Sequence, residues 1–353
     1  MNKKLIALAI AGVVAAPAAL AQSANPVTLY GRVYSTFNNI KADGGGTNVP
    51  SRNVVKDESS FIGVRGTEDL GGGLKAFFQV ESGSPVDVGG GTLGSRNSAV
   101  GLQGNFGSLL LGRWDTPMKV TSLQVDPAGQ LTIADPVSVI SDRGNFQRRQ
   151  DNLVQYWTPT WGGFNARVMY SANEGKTGTA SPSNVGFNMH YSAGPFFVGL
   201  AYEKHKDQGP NSSGATVTAA GKDERGLALA GSAKFGPFKL ALMGQKFKKT
   251  DLTDTKVVLV SGQYDMGKHS FWAIYARAKD GAVSSAATQP EGKHLGLGYY
   301  YNFSKRTTLV ATYARITNNS AANYTFNGNG SGTFTVSNDA DPKGFGVGFR
   351  HLF

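Results

Sequence analysis

The chain has no cysteine in 353 residues, which removes disulfides, zinc ribbons and thiol catalysis together. That absence suits an oxidising compartment, where stray thiols are a liability. Charge is sparse as well, at 17% of residues, and the mean hydropathy is only −0.23. A helical membrane bundle would need repeated apolar runs of about 20 residues, and no such repetition is present. Of the five histidines, His190, His205, His269, His294 and His351, none sits in an i,i+4 metal pair or a Gly-x-Ser-x-Gly setting. Gly262–Lys268 imitates a phosphate loop but runs into His269 with no helix to follow, and Gly89-x-Gly91-x-x-Gly94 fits a dinucleotide loop by spacing alone. The net charge is +11, yet no Lys/Arg block or RNA-binding motif accompanies it. An enzyme, a cofactor site, a metal site and a nucleic-acid partner are all unsupported.

What is plentiful is glycine, at 47 residues, together with aromatic side chains at 10%, the make-up of a turn-rich β protein. The N-terminus is an address. Lys3 and Lys4, an apolar run from Leu5 to Leu20, and Ala19-Leu20-Ala21 before Gln22 form the three regions of a cleaved secretory signal peptide over residues 1–21. Two lysines account for little of the basic excess, so most of it belongs to residues 22–353.

From residue 22 onward, segments of about ten residues alternate apolar with polar or small side chains, the strand period. Gly186–Tyr191, Phe238–Leu242 and Lys293–Tyr299 show it plainly. Sixteen such segments are recognisable, the first at 26–38 and the last at 342–353. Every second connection is a tight turn, as at Ala193-Gly194, Gly236-Pro237 and Asp265–Gly267; the others are mostly long and polar, as at 39–57, 205–221 and 318–341. A soluble sandwich has no reason to sort its connections by length. A transmembrane barrel does, with short turns on the periplasmic side and long loops outside. Aromatic residues crowd beside the short turns, among them Tyr156, Trp157, Trp161, Phe196, Phe235 and Phe271, as a girdle at the membrane interface would require. The reading is an all-β, sixteen-stranded antiparallel transmembrane barrel, whose lumen at that strand number stays water-filled.

Four segments carry a family resemblance: Val27–Arg32, Gly63–Ala76, Ser95–Leu102 with Asn105–Arg113, and Gly348–Phe353. In this order they resemble the general porins of Gram-negative bacteria, of the trimeric β-proteobacterial type, over essentially all of residues 22–353. The resemblance implies a homotrimer in the outer membrane, contacts with its lipid, and passive diffusion of small anions and hydrophilic solutes. It implies that Phe353 is a terminal signal read by the outer-membrane assembly machinery. It also implies that the third long loop, residues 114–148, folds into the lumen as a constriction. An adhesin or structural barrel with a closed pore is the alternative.

Within that loop lie Asp115, Asp126, Asp135 and Asp142, and Asp126 and Asp135 are the acidic candidates. Asp126-Pro127-Ala128-Gly129 stands where better-known porins carry an acidic Pro-Glu-Phe-Gly-Gly tip. Alternation selects the basic candidates. Leu29, Gly31 and Val33 facing lipid turn Arg32 inward; Val168 and Tyr170 outward turn Arg167 inward; Val154 and Tyr156 outward put Arg149 on the inner side. By motif, Arg96 and Arg149 match the family's constriction arginines, whereas Phe61 stands where many relatives carry another. A basic wall facing an acidic loop sets a transverse field across the narrowest point, and a net basic lining favours anions.

Overall fold

A computed structural model describes residues 27–46, 49–140, 146–172, 174–208, 220–250, 254–281, 288–326 and 335–353. Residues 1–21, expected to be a signal peptide, and Asp142 lie outside them. The strands are β1 (Thr28–Gly44), β2 (Val49–Asp57), β3 (Phe61–Gly71), β4 (Leu74–Gly83), β5 (Ser98–Gly104), β6 (Gly107–Asp115), β7 (Arg149–Trp157), β8 (Phe164–Ser171) and β9 (Ser183–Ala193). They continue as β10 (Phe196–Lys206), β11 (Glu224–Phe235), β12 (Phe238–Lys249), β13 (Thr255–Met266), β14 (His269–Asp280), β15 (Glu291–Asn302), β16 (Thr307–Asn318) and β17 (Ala340–Leu352). Two short helices, α1 (Pro117–Leu123) and α2 (Val137–Ile140), lie between β6 and β7.

Each strand pairs antiparallel with its neighbours, and β1 pairs with β17 from Arg32 opposite Leu352 to Gly44 opposite Ala340. This pairing closes the sheet, which leaves no unpaired edge in hydrocarbon. β2 and β3 are two halves of one strand, since β1 pairs with β3 over Thr28–Arg32 and with β2 over Ser35–Ala42. Ser59, at a left-handed φ of 62°, marks the break. Counted so, the barrel has the sixteen strands expected. The first connection differs from expectation. Residues 39–57 read as a long loop, but β1 runs on to Gly44 and β2 begins at Val49. At 17 residues, β1 exceeds the ~9–11 needed to cross a bilayer, and its upper end stands above the membrane.

The outward face is apolar and exposed along every side of the barrel, as at Leu29, Val100, Val168, Leu229, Leu242, Val260 and Phe349. Tight turns close the periplasmic end. Gly194, Gly236 and Gly267 take φ of 53°, 56° and 58° at the first central position, the requirement of a type II′ hairpin. Next to these turns the aromatic rings touch across strands: Phe196 with Phe235 at 5.9 Å, Phe238 with Tyr264 at 4.5 Å and Phe271 with Tyr299 at 5.0 Å between centroids.

The inward face is divided. On β10–β16 it carries apolar residues, including Ala228, Met243, Leu259 and Ile274, all buried. What covers them is the segment between β6 and β7.

Candidate pore constriction

That segment leaves β6 at Asp115 and turns into the barrel. Thr116 caps α1, its side chain accepting the Lys119 N–H, and Pro117 takes a position where no backbone donor is missed. Met118, Val125, Ile133, Ala134, Val139 and Ile140 form one buried cluster with the inner wall. Polar tethers fix the path. Asn188 Nδ2 donates to the Pro117 carbonyl at 3.0 Å, Thr121 Oγ1 meets His190 Nε2 at 2.8 Å, Lys239 Nζ donates to the Gln124 carbonyl at 2.8 Å, and Ser261 Oγ to that of Val125 at 2.6 Å. Opposite, Glu58 at the β2–β3 break accepts the Thr132 N–H at 3.0 Å, together with Thr36 Oγ1 at 2.7 Å and Lys56 Nζ at 2.8 Å. The loop therefore spans the lumen from the β9–β15 wall to the strand break.

Two of the loop's aspartates serve the loop itself. Asp126 accepts the N–H groups of Ala128 at 2.9 Å and Gln130 at 2.8 Å, and Asp135 accepts that of Val137 at 2.7 Å. They are 6% and 2% exposed. Burial, and then the charge of Asp135, push the Asp126 carboxyl up to about 7. Both belong to inner turns of the loop, not to the basic group. Among the described residues, Asp115 and Glu81 meet the basic side chains at close range, and Asp57 lies within electrostatic reach of Arg32.

The arginines gather on the facing wall. Arg32 donates to the Ser59 carbonyl at 2.7 Å and lies 5.3 Å from the centre of the Phe61 ring; Arg96 lies 4.7 Å from the same ring. Phe61 is thus the surface that two guanidinium groups share, a cation–π contact each. Arg96 Nε is 3.6 Å from Glu81, and Arg149 Nε donates to Asn97 Oδ1 at 2.9 Å and stands 3.5 Å from Asp115. Asp115 also holds Lys119 at 2.9 Å, whose ammonium burial draws below the usual lysine range. Arg32, Arg96 and Arg149 lie within electrostatic reach of one another.

Arg167 sits one step away, 4.8 Å over Trp157, whose ring is 5.5 Å from Trp114. These rings border a recess of about 330 Å³ on the turn side, lined also by Arg65, Gln79 and Gln103. Sequence reasoning passed over Arg350, which stacks 5.5 Å over Tyr300, donates to Thr308 Oγ1 at 3.3 Å and adds its charge beside Arg32. The signal was available, because Val347 and Phe349 are lipid-facing and Arg350 has the opposite parity. Phe353 lies at the closure seam, exchanging backbone hydrogen bonds with Gly31 at 3.0 and 3.1 Å.

A model of the Gram-negative porin family matches residues 7–321. Outer membrane porin protein 32 of Delftia acidovorans is 33% identical across 371 aligned positions, spanning all of both chains, and the major outer membrane protein P.IB of Neisseria meningitidis is 29% identical, again end to end. Among solved structures, the anion-selective porin from Comamonas acidovorans superposes with a TM-score of 0.78 at 30% identity, covering 93% of this chain and 100% of that one. OmpT of Vibrio cholerae, in a trimer form, shares the fold at 18% identity, with a TM-score of 0.68 over 94% of this chain and 100% of that one. A likeness that runs the length of the chain, on a closed barrel with a charged passage, has one reading: the chain belongs to the Gram-negative porin family and forms an outer-membrane channel for passive diffusion.

Proposed function

We propose that the passage prefers anions, and that Arg32, Arg96, Arg149 and Arg350 set the preference, with Arg167 as a further inward charge. The supporting observation is the pairing pattern. Asp115 and Glu81 are already shared among Lys119, Arg149 and Arg96, while Arg32 and Arg350 bond to a carbonyl and a hydroxyl. Arg32, Arg96, Arg149, Arg350 and Lys119 still outnumber Asp115, Glu81 and Asp57, which lies within electrostatic reach of Arg32, and excess positive charge at a narrow point lowers the barrier for anions and raises it for cations. Asp126 and Asp135 hold backbone amides of the loop itself. The relative from Comamonas acidovorans, named as anion-selective, supports the same reading. The test is the reversal potential of single channels in a planar bilayer under a potassium chloride gradient. The chloride sign is expected, and the potassium sign overturns the arginine assignment.

The remaining features follow the family. Residues 1–21 are removed on export, residues 22–353 form the barrel with 114–148 as its constriction, three copies associate, and Phe353 marks the chain for assembly. N-terminal sequencing of the exported protein, beginning at Gln22, and light scattering of the detergent-purified protein at three times the monomer mass check the first and third.

A further inference from the structure

On the turn side of the constriction arginines, the wall carries an apolar corner that ion passage alone does not require. Trp114, Trp157 and Phe77 line the recess of about 330 Å³, at the lower end of the ~300–1,000 Å³ common for small-ligand pockets. Val154 faces lipid, so the two-residue period turns Trp157 inward, away from the girdle on the membrane side. The two indole rings meet at 57° with centroids 5.5 Å apart, a corner and not a stack. All three side chains are only half-buried. The constriction loop packs on the β9–β15 wall and leaves them open to the passage. Apolar rings left wet in a polar lining are costly to hydrate, and a flat ligand face would cover them.

Donors stand beside these rings with their hydrogen-bonding capacity unspent. Arg65 borders the recess, its guanidinium 4.6 Å from the centre of the Tyr30 ring, and Arg167 lies 4.8 Å from that of Trp157. Neither guanidinium is hydrogen-bonded or ion-paired among the described residues, and Asp115 reaches Arg167 only through space. Arg96 and Arg149 differ in this respect, because Glu81 and Asp115 hold them. The Trp157 N–H donates to Gln155 Oε1, whereas the Trp114 N–H and the Gln103 side-chain amide bond to no described residue. The recess therefore joins a flat apolar corner to a planar cation and further N–H donors.

We propose that this recess is a docking subsite for small aromatic carboxylates on their way through the channel. The ring of the solute lies in the corner of Trp114 and Trp157, where offset and edge-on aromatic contacts add to area burial. Its carboxylate takes the fork of Arg65, whose planar guanidinium matches two oxygens at once. The Gln103 amide and the Trp114 N–H are the further donors, and Arg167 adds positive charge from behind Trp157. An inorganic anion would leave the rings wet, and a neutral sugar would leave both guanidinium groups unused. The lining thus selects a solute that carries both features. Passage also requires that the solute leave again, which a recess beside the path allows. The subsite needs an open channel but not the ion preference assigned to the constriction.

The test records conductance of the full-length protein in planar bilayers at about pH 7, where carboxylates are ionised, with benzoate, acetate or benzyl alcohol added to both sides. Benzoate is expected to half-block the channel at a concentration about tenfold below acetate, which lacks the ring, and benzyl alcohol, which lacks the charge. Arg65→Gln and Trp114→Leu, each checked for a folded barrel on heat-shift gels, should raise the benzoate value about tenfold. Should Trp114→Leu fail to assemble, Arg65→Gln, at an exposed side chain, decides alone. Acetate or benzyl alcohol blocking as well as benzoate, or an Arg65→Gln channel that keeps the wild-type value, overturns the inference. The reversal potential in potassium chloride is read on the same channels before solute is added. A potassium sign with the benzoate preference intact supports the subsite and refutes the constriction assignment alone; a chloride sign without that preference refutes the subsite alone.

Discussion

Neutralising one constriction charge at a time turns the arginine assignment into a number. Arg32→Gln and Arg149→Gln each remove one positive charge while keeping a hydrogen-bonding side chain for the Ser59 carbonyl or Asn97. An ion passing ~5 Å from a guanidinium in water feels about 0.8 kcal/mol, which screening at 0.1 M salt reduces to about 0.5 kcal/mol. Each removal raises the anion barrier and lowers the cation barrier by that amount, so the chloride-to-potassium permeability ratio should fall about fivefold per site. At 1 M salt the Debye length shrinks to about 3 Å, and the same substitutions should then change the ratio less than about twofold. Reversal potentials across fixed activity gradients at both salt levels provide the assay. Ratios unchanged at 0.1 M in both variants, or changes that do not shrink at 1 M, would falsify the reasoning.

Three further outcomes are expected. Asp126 has a folded-state value of about 7, above the ordinary carboxylate value of about 3.9; the folded loop binds this proton more tightly, so the stabilisation is full below about pH 4 and is lost as pH rises through 7. Hydrogen exchange of amides 126–137 should accordingly be slower at pH 6 than at pH 8 after correction for intrinsic rates, and the opposite order refutes the shift. Glu58→Ala strands the Lys56 ammonium and frees the Thr132 amide, a loss of about 3–5 kcal/mol by analogy with other broken buried pairs; protease nicking within 126–137 should rise while the barrel stays folded. Gly31→Ala places a methyl 2.4 Å from the Phe353 ring and 2.6 Å from the Phe61 carbonyl, costing about 1–3 kcal/mol, and a lowered unfolding midpoint on heat-shift gels is the measure.

The strands were legible wherever one face had to meet lipid. On β11–β15 the two-residue period places Leu227, Leu242, Val258, Tyr275 and Leu297 outward as the structure has them. The upper part of β1 and β2 was not, because above the membrane no solvent enforces alternation. There Asn39, Ser51 and Asn53 pair side chain to side chain, and Pro50 sits beside the register shift at Ile40–Ala42, where a strand tolerates a missing donor. Parity also loses its hold at Arg149. The register shifts between Gly112 and Trp114, and Asn152 is left-handed at φ 54°, so Arg149 reaches Asp115 by way of a bulge and not by simple alternation. The aspartates could not be sorted at all from sequence. Whether a loop carboxylate faces water or its own amides depends on the path of the loop, and that path is set by tethers as remote as Glu58, Asn188 and Ser261.

The divided inner wall changes what an engineer should expect from this pore. Residues 114–148 narrow the passage, so cutting them out is the obvious way to seek a wider channel. Here their removal would bare Ala228, Met243, Leu259, Ile274 and Trp272 along one side of the passage. Apolar walls at close quarters expel water and close a channel to ions by dewetting. The shortened protein would exchange a wet, charged constriction for a dry one, and its conductance would fall where naive geometry says it should grow.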